Sequence, residues 1–343
     1  MGAVCSTDRR PIVHVLVVGG AGYIGSHVAR RLIDGGYSVT VYDNLVHGLH
    51  ANLHSEAAFV HGDIHDQVAL RAALRATPHP EGTPVDAVIH LAAAKAAGES
   101  MINPELYANN NLSGTVSLLN AMTFAGVKYI VFSSSAAVYG EPRYTPMDEK
   151  HPTEPVNFYG FTKLMIEKLL AWYGQLRGIR SASLRYFNAA GYDAAGRIGG
   201  LEQQPANLIP LIMEAAVGMR PEIQIFGDDY ETDDGTCIRD YIHVTDLAEA
   251  HALALDWIAA NDDSLVVNLG TGHGISVLEM VEKARAVTGQ PIPSRVVERR
   301  PGDPATVIAS SDLAAEILGW RAEHSGAENL LKTTWDMYAR LDR

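Results

Sequence analysis

Tyr159 and Lys163, in the stretch "NFYGFTKLMIEK", stand four residues apart, so on a helix both side chains share one face. A phenol near pKa 10 is a poor base at neutral pH, and a neighbouring ammonium favours the phenolate and lowers that value. Alone, a Y-x-x-x-K is commonly a chance surface pair. Upstream, however, "VFSSSAAVYG" closes a strand pattern on three hydroxyls, Ser133, Ser134 and Ser135. They would sit at the carboxyl edge of a parallel sheet, where ligands bind. Strand, hydroxyl, then Tyr and Lys on the following helix describe a hydride-transfer site.

Such a site needs a hydride carrier, and the start of the chain has the residues for one. "GGAGYIG", Gly19 to Gly25, follows the apolar run Ile12 to Val18 and leads into "SHVARRLIDGGY". Gly19 would allow the tight turn out of a strand, Gly22 would let backbone approach a pyrophosphate, and Gly25 would let helix pack on strand. The N–H groups and dipole of the helix then face the anion. Asp43, in "VTVYDN", lies 18 residues past Gly25, where a carboxylate can bind a ribose 2'-hydroxyl. That carboxylate would repel a 2'-phosphate, and "NLVH" after it offers no Arg to receive one. NAD is favoured over NADP. A second glycine cluster, "GTGHG" at Gly270 to Gly274, comes late in the chain and reads as a turn.

These residues need a frame to hold them. "IVHVLVV", "YSVTVYD", "DAVIHLA", "KYIVFSS" and "SASLRYF" are short β-rich runs, separated by amphipathic segments such as "VALRAALRA" and "FTKLMIEKLLAWYGQL". Alternation of this kind predicts βαβ units in an α/β, doubly wound parallel sheet of Rossmann type. The expected division is a leader over residues 1–11, an NAD-binding domain over 12–188 and a smaller substrate lobe over 189–343, some of whose elements can return to the sheet. The 343 residues are enough to fold without staples, and 47% hydrophobic with 20% charged is an ordinary globular balance. A formal net charge of −13 argues against nucleic acid as a partner. Cys5 and Cys237 stand in very different contexts, so a disulfide framework is not expected and a reducing, cytoplasmic setting fits. No apolar stretch long enough to span a membrane appears. Gly2 and Ser6 match the myristoylation pattern M-G-x-x-x-[ST], but the same residues also read as a disordered leader.

Taken together, "GGAGYIGSH", "KAAGES", "YANNNLSGT", "SSSAAVYG", "YGFTK", "LRYFNAAG", "RDYIHVTDLAEAH" and "RRPGDPA" resemble the UDP-glucose 4-epimerases, of the extended short-chain dehydrogenase/reductase class. The likeness runs from about Ile12 to Tyr338. It implies Tyr159 as the base, Ser135 as a hydrogen-bond partner of the sugar O4, and Lys163 as the cation that tunes Tyr159 and binds the nicotinamide ribose. It further implies cofactor contacts from Gly22, Tyr23, Ile24, Asp43, Asn44, Asp63, Ile64, Lys95, Asn111 and Tyr186. The UDP-sugar would be held by Lys95, Asn188, Asn207, Phe226, Arg239, Arg300 and Asp303. Arg239 and Arg300 suit the diphosphate, which guanidinium pairs bidentately. One departure is "LAAAK", where relatives often carry a glycine near Ala93. In the implied mechanism Tyr159 takes the O4 proton as the C4 hydride leaves, the 4-keto sugar turns about its diphosphate linkage, and the hydride returns to the other face. Val307 matches a position beside the sugar's 2-substituent that is Tyr in relatives restricted to glucose and galactose, so its small side chain implies room for N-acetylated sugars as well. A homodimer is also implied, through helices at Asn103 to Ala125 and Tyr159 to Leu176.

Two other functions fit part of the pattern. A sugar-nucleotide 4,6-dehydratase starts with the same oxidation but needs an added acid and base, and its acidic pair would fall at Ala136 and Ala137. A catalytically silent NAD-binding regulator tends to lose the Tyr or the Lys, and both are here. Metal chemistry is not expected. His50 with His54, and His61 with His65, have helical spacing but lie in loop text, and read as solvated loop histidines.

Overall fold

The computed structural model describes residues 12–75, 84–203, 205–300 and 302–340. The leader, with Gly2, Cys5 and Ser6, lies outside the described residues.

Apolar runs bounded by turn residues form the centre of the molecule. β1 (His14–Val18), β2 (Ser38–Asp43), β3 (Ala58–His61), β4 (Ala87–His90), β5 (Tyr129–Ser133) and β6 (Arg180–Tyr186) lie in one parallel sheet. Successive side chains of β1 enter opposite cores. Val15 and Val17 pack under α1 (Tyr23–Asp34), whereas Leu16 and Val18 pack with Leu70 of α2 (Gln67–Arg75). A strand buried on both faces therefore reads as an unbroken apolar run. After β4 come the short helices α3 (Ala97–Ser100) and α4 (Pro104–Tyr107), a π-helical turn Ala108–Ser113, and α5 (Gly114–Ala125). α6 (Phe158–Arg177) packs on the same face through Ile166 and Leu170. Asn157 caps it, its Oδ1 accepting from the Gly160 N–H at 2.8 Å.

Beyond β6 the chain builds smaller units. β7 (Asn188–Ala190) pairs with β10 (Tyr241–His243), and β8 (Ile223–Phe226) with β13 (Ser294–Val297). β9 (Ile238–Arg239) lies between β12 (Ile275–Ser276) and β14 (Thr306–Val307). α7 (Leu208–Ala216), α9 (Val277–Thr288) and α11 (Ala327–Tyr338) share a separate core that includes Ile212, Met280 and Leu330. Three elements of this half rejoin the first. α8 (Val244–Asn261) packs beside α1 in the core under the sheet, and β11 (Leu265–Leu269) pairs parallel with β6. Near it, α10 (Asp312–Leu318) adds Ala314 to the same core.

The sheet order is β11-β6-β5-β4-β1-β2-β3. The chain runs outward in one direction from β1 and in the other from β4, so the crevice for a ligand opens at the carboxyl ends of these two strands.

Candidate active site at the carboxyl edge of the sheet

The glycine loop sits at that crevice. Gly19 has φ +84°, and a Cβ there would lie 2.6 Å from the Ala92 nitrogen. A Cβ on Gly25 would lie 2.2 Å from the Gly19 carbonyl oxygen, so no larger residue lets α1 start this close to β1. Gly22 differs, because a Cβ there would meet only the Gly19 oxygen, at 3.3 Å. The chain itself barely requires that glycine, so the bare backbone serves a group approaching from outside. No side chain caps the start of α1 and no acidic residue lies in its first turn, which leaves the positive helix end open to an anion.

Asp43 ends β2 buried. Its Oδ2 accepts from the Ala21 N–H at 3.0 Å and its Oδ1 from the Leu45 N–H at 2.8 Å. The carboxylate thus ties the strand end to the glycine loop while keeping lone pairs for hydroxyl donors. Asn44 donates to Asp63 Oδ2 at 2.9 Å, and the backbone N–H of His65 holds the Asp63 carboxyl below its usual range. Ile64 beside it is buried. Asn111, expected against a cofactor, spends its amide inside the chain. It accepts from the Ala94 N–H at 2.9 Å and donates to the Ala94 carbonyl at 3.0 Å and to Thr162 Oγ1 at 3.1 Å. Its observed work is to fix the Ala94 and Lys95 loop to α6, from the π-helical turn. Lys95 itself is more than half exposed and pairs with Glu202.

Three serines close and follow β5, and their partners separate them. Ser133 Oγ donates to His251 Nε2 at 2.9 Å, because His251 Nδ1 is turned to the Leu247 carbonyl. Ser134 Oγ donates to the Glu167 carboxylate at 2.5 Å. Ser135 alone meets Tyr159. Its Oγ also accepts from the Ala137 N–H at 3.2 Å, capping the short 3-10 turn Ala136–Val138. Gly160, next to Tyr159, brings α6 onto that turn. A Cβ there would lie 2.3 Å from the Ala137 carbonyl oxygen.

Lys163 is buried one turn along α6, donates to the Ser133 carbonyl at 2.7 Å and lies 4.8 Å from the Phe132 ring centre. Burial lowers its ammonium to about 7, against the pull of Glu167. The expected lowering of the Tyr159 phenol by Lys163 does not appear in this arrangement. Burial raises that phenol, and only the Ser135 hydrogen bond opposes it. The cause is geometric, since the ammonium is turned to a backbone carbonyl and lies 5.7 Å from the centre of the Tyr159 ring.

Sequence reasoning missed the support behind Lys163. Glu167 and Arg185 form a buried bidentate pair at 3.0 and 2.6 Å, Arg185 donates to Tyr139 Oη at 3.0 Å, and Tyr139 donates to Asn268 Oδ1 at 2.6 Å. The only signal was Glu167 falling one turn after Lys163. Tyr186, beside these groups, has its phenol pushed up by burial and is hydrogen-bonded to Ser133.

Residues expected at the sugar nucleotide gather on the smaller strands. Arg239 pairs with Asp303 and donates to the Ile238 carbonyl at 2.7 Å. The Arg300 guanidinium lies 3.8 Å above the Phe226 ring centre. Asn188 donates to the Asp240 carbonyl at 2.8 Å, and Asn207 stands at the N-terminus of α7 without capping it. Val307 is in register with Arg239 on β14 and packs in the cluster that holds Ala136 and Phe187, so it joins the arginine end to the Ser135 turn.

Among the described residues no group of three or more His, Cys, Asp or Glu is placed to hold a metal ion. His54 corrects the reading of loop histidines. It is buried, with Nε2 donating to the Ser26 carbonyl at 2.9 Å, whereas His50, His61 and His65 are exposed.

Comparison with known proteins agrees with this geometry. The NAD dependent epimerase/dehydratase family matches residues 15–270. A UDP-glucose 4-epimerase of Halalkalibacterium halodurans is 48% identical over 94% of this chain and 95% of that protein. The crystal structure of a UDP-glucose 4-epimerase from Brucella ovis in complex with NAD superposes with TM-score 0.90 at 44% identity, over 95% of this chain and 98% of that one. The enzyme from Stenotrophomonas maltophila with bound NAD and formylated UDP-arabinopyranose gives TM-score 0.91 at 42% identity, over 96% and 99%.

Proposed function

This chain belongs to the NAD dependent epimerase/dehydratase family, and from that premise we propose that it is an NAD-dependent UDP-glucose 4-epimerase, interconverting UDP-glucose and UDP-galactose. The observation that carries the chemistry is the Ser135 and Tyr159 pair at the end of β5, with Lys163 buried one turn behind. NAD, when bound, accepts the C4 hydride and gives it back. The residues fit it: the open start of α1 and the bare backbone at Gly22 suit its diphosphate, and Asp43 suits a free ribose hydroxyl.

Tyr159 takes the O4 proton and later returns it from the same side, so one base serves both faces of a sugar that turns. A phenol that burial holds protonated becomes a base only where positive charge gathers beside it, and Lys163 is the chain's own source. Ser135 holds the proton-bearing oxygens in line. Arg239, Arg300 and Asp303 retain the UDP end while the hexose is loose. The 3-10 turn that would carry the acid and base of an elimination holds Ala136 and Ala137, which disfavours a dehydratase.

The small side chain of Val307, in the cluster that holds Ala136 and Phe187, supports room for a 2-acetamido group, and we extend the substrates to UDP-N-acetylglucosamine and UDP-N-acetylgalactosamine. The chain works as a homodimer through α5 and α6, whose Phe124, Phe161, Trp172 and Leu176 are exposed. A reducing cytoplasmic setting suits the buried free thiol of Cys237. No described helix is long and apolar enough to cross a membrane.

The test is product analysis with UDP-galactose and no added NAD. UDP-glucose should accumulate to a fixed ratio, and acid extracts should contain NAD(H). A 4-keto-6-deoxy product, or no turnover with cofactor present, would overturn the assignment. For the substrate range, Val307→Tyr should lower kcat/KM for UDP-N-acetylglucosamine roughly 5- to 150-fold more than for UDP-glucose, the range for overfilling a pocket by about 1 to 3 kcal/mol. Equal loss on both sugars would remove Val307 from the pocket.

A further inference from the structure

Tyr230 has a buried hydroxyl with no partner among the described residues. The residue is 6% exposed. Buried hydroxyls are nearly always paired, because leaving water without a partner is costly. The ring cannot easily swing to find one. Its backbone N–H donates to the Gly235 carbonyl at 2.9 Å, and its carbonyl accepts from the Thr232 N–H at 2.8 Å. One face lies 3.9 Å beneath the Arg299 guanidinium, which is itself held by Asp229 at 2.5 Å. One edge fits against Gly227, where a Cβ would come within 2.7 Å of Tyr230 Cε2.

The charged groups around this phenol are Asp303, Arg299 and Arg239. Asp303 is already paired with Arg239. What the hydroxyl lacks is a hydrogen-bond partner, and beside it stand Arg239 and Asp303, which the reading above places at the UDP end of the sugar nucleotide. We propose that Tyr230 is a further substrate-binding residue, whose O–H donates to a diphosphate oxygen of the sugar nucleotide alongside Arg239. This rests on the reading that a UDP-sugar is bound there. It goes further in adding Tyr230 as a donor to that nucleotide.

Removing an orphaned hydroxyl should cost the free protein nothing while costing the complex a charge-assisted hydrogen bond. Tyr230→Phe should therefore keep its NAD content and melt, without nucleotide, at or above the parent's temperature. Its Kd for UDP, measured by calorimetry, should rise about 10- to 100-fold, the span of one hydrogen bond to a charged group. Uridine, which has no phosphate, should bind parent and variant equally. An unchanged UDP Kd would overturn the inference, as would an equal loss for uridine. A clear fall in the nucleotide-free melting temperature would also overturn it, by showing that the hydroxyl has a partner within the protein. If the parent itself fails to bind UDP, the reading of the site fails first, which sets that outcome apart from the others.

Discussion

Tyr159 starts as a weak base in a poor place for one. Burial raises its phenol, Ser135 offsets part of that, and Lys163 waits one turn away with its own ammonium lowered to about 7. Replacing the phenol oxygen should therefore remove proton transfer and little else. Tyr159→Phe is expected to lose roughly 10²- to 10⁴-fold in kcat, the scale of a lost general base, with UDP affinity and NAD content retained. A burst of normal turnover in the variant would move the base elsewhere. Tyr159 and Lys163 were legible because helix geometry alone puts them on one face. The choice among three serines was not legible from spacing. It depends on His251, 118 residues from Ser133, and on Glu167, 33 residues from Ser134. Tyr230 was invisible for the same reason, since nothing in "GDDYETDDG" says which hydroxyl is left unpaired.

Elements bring these residues together by close approach, and Gly160 is where α6 meets the Ser135 turn. A methyl carbon added at this glycine would stand 2.3 Å from the Ala137 carbonyl oxygen, so Gly160→Ala must push the helix or the turn aside. A displacement on the order of 1 Å near reacting atoms can cost about 100-fold, so kcat should fall at least tenfold, with far-ultraviolet circular dichroism unchanged. Parental kcat would show that the turn yields without disturbing Ser135. The five strands legible in the sequence form as β1, β2, β4, β5 and β6, because two-sided burial writes them as apolar runs. β3 and β11 carry no such signature. β3 is a four-residue edge strand with partly exposed side chains, and "LVVNL" follows a polar loop far down the chain, where local pattern cannot reveal its partner.

At the scale of the whole molecule, neutral histidines join the parts. His27 of α1 accepts from the Asp193 N–H at 3.0 Å, His243 bonds Thr333 of α11 at 3.0 Å, His251 of α8 holds Ser133, and His90 bonds Thr115 at 2.9 Å. Burial lowers His27, His243 and His251 to about 4 and His90 to about 3. Unfolded, each would titrate near 6.5. Between these values the unfolded chain binds more protons, so stability rises with pH there and is lost as pH falls from about 6.5 toward 4. Urea midpoints should be level from pH 8 to 7 and drop steeply between 6 and 5, with proton uptake on unfolding. A flat profile to pH 5 would mean that the rings already carry protons when folded. The return of β11 to the sheet has a different consequence, for synthesis. Ser181, at the start of β6, donates its backbone N–H to Ser264, 83 residues later, and β11 then covers the outer edge of β6. Until that stretch has left the ribosome, the nascent chain carries an unpaired apolar strand edge, the kind that joins neighbouring chains. Completion of the nucleotide-binding half is thus a late event in the life of the polypeptide, and its protection before then falls to whatever binds emerging chains.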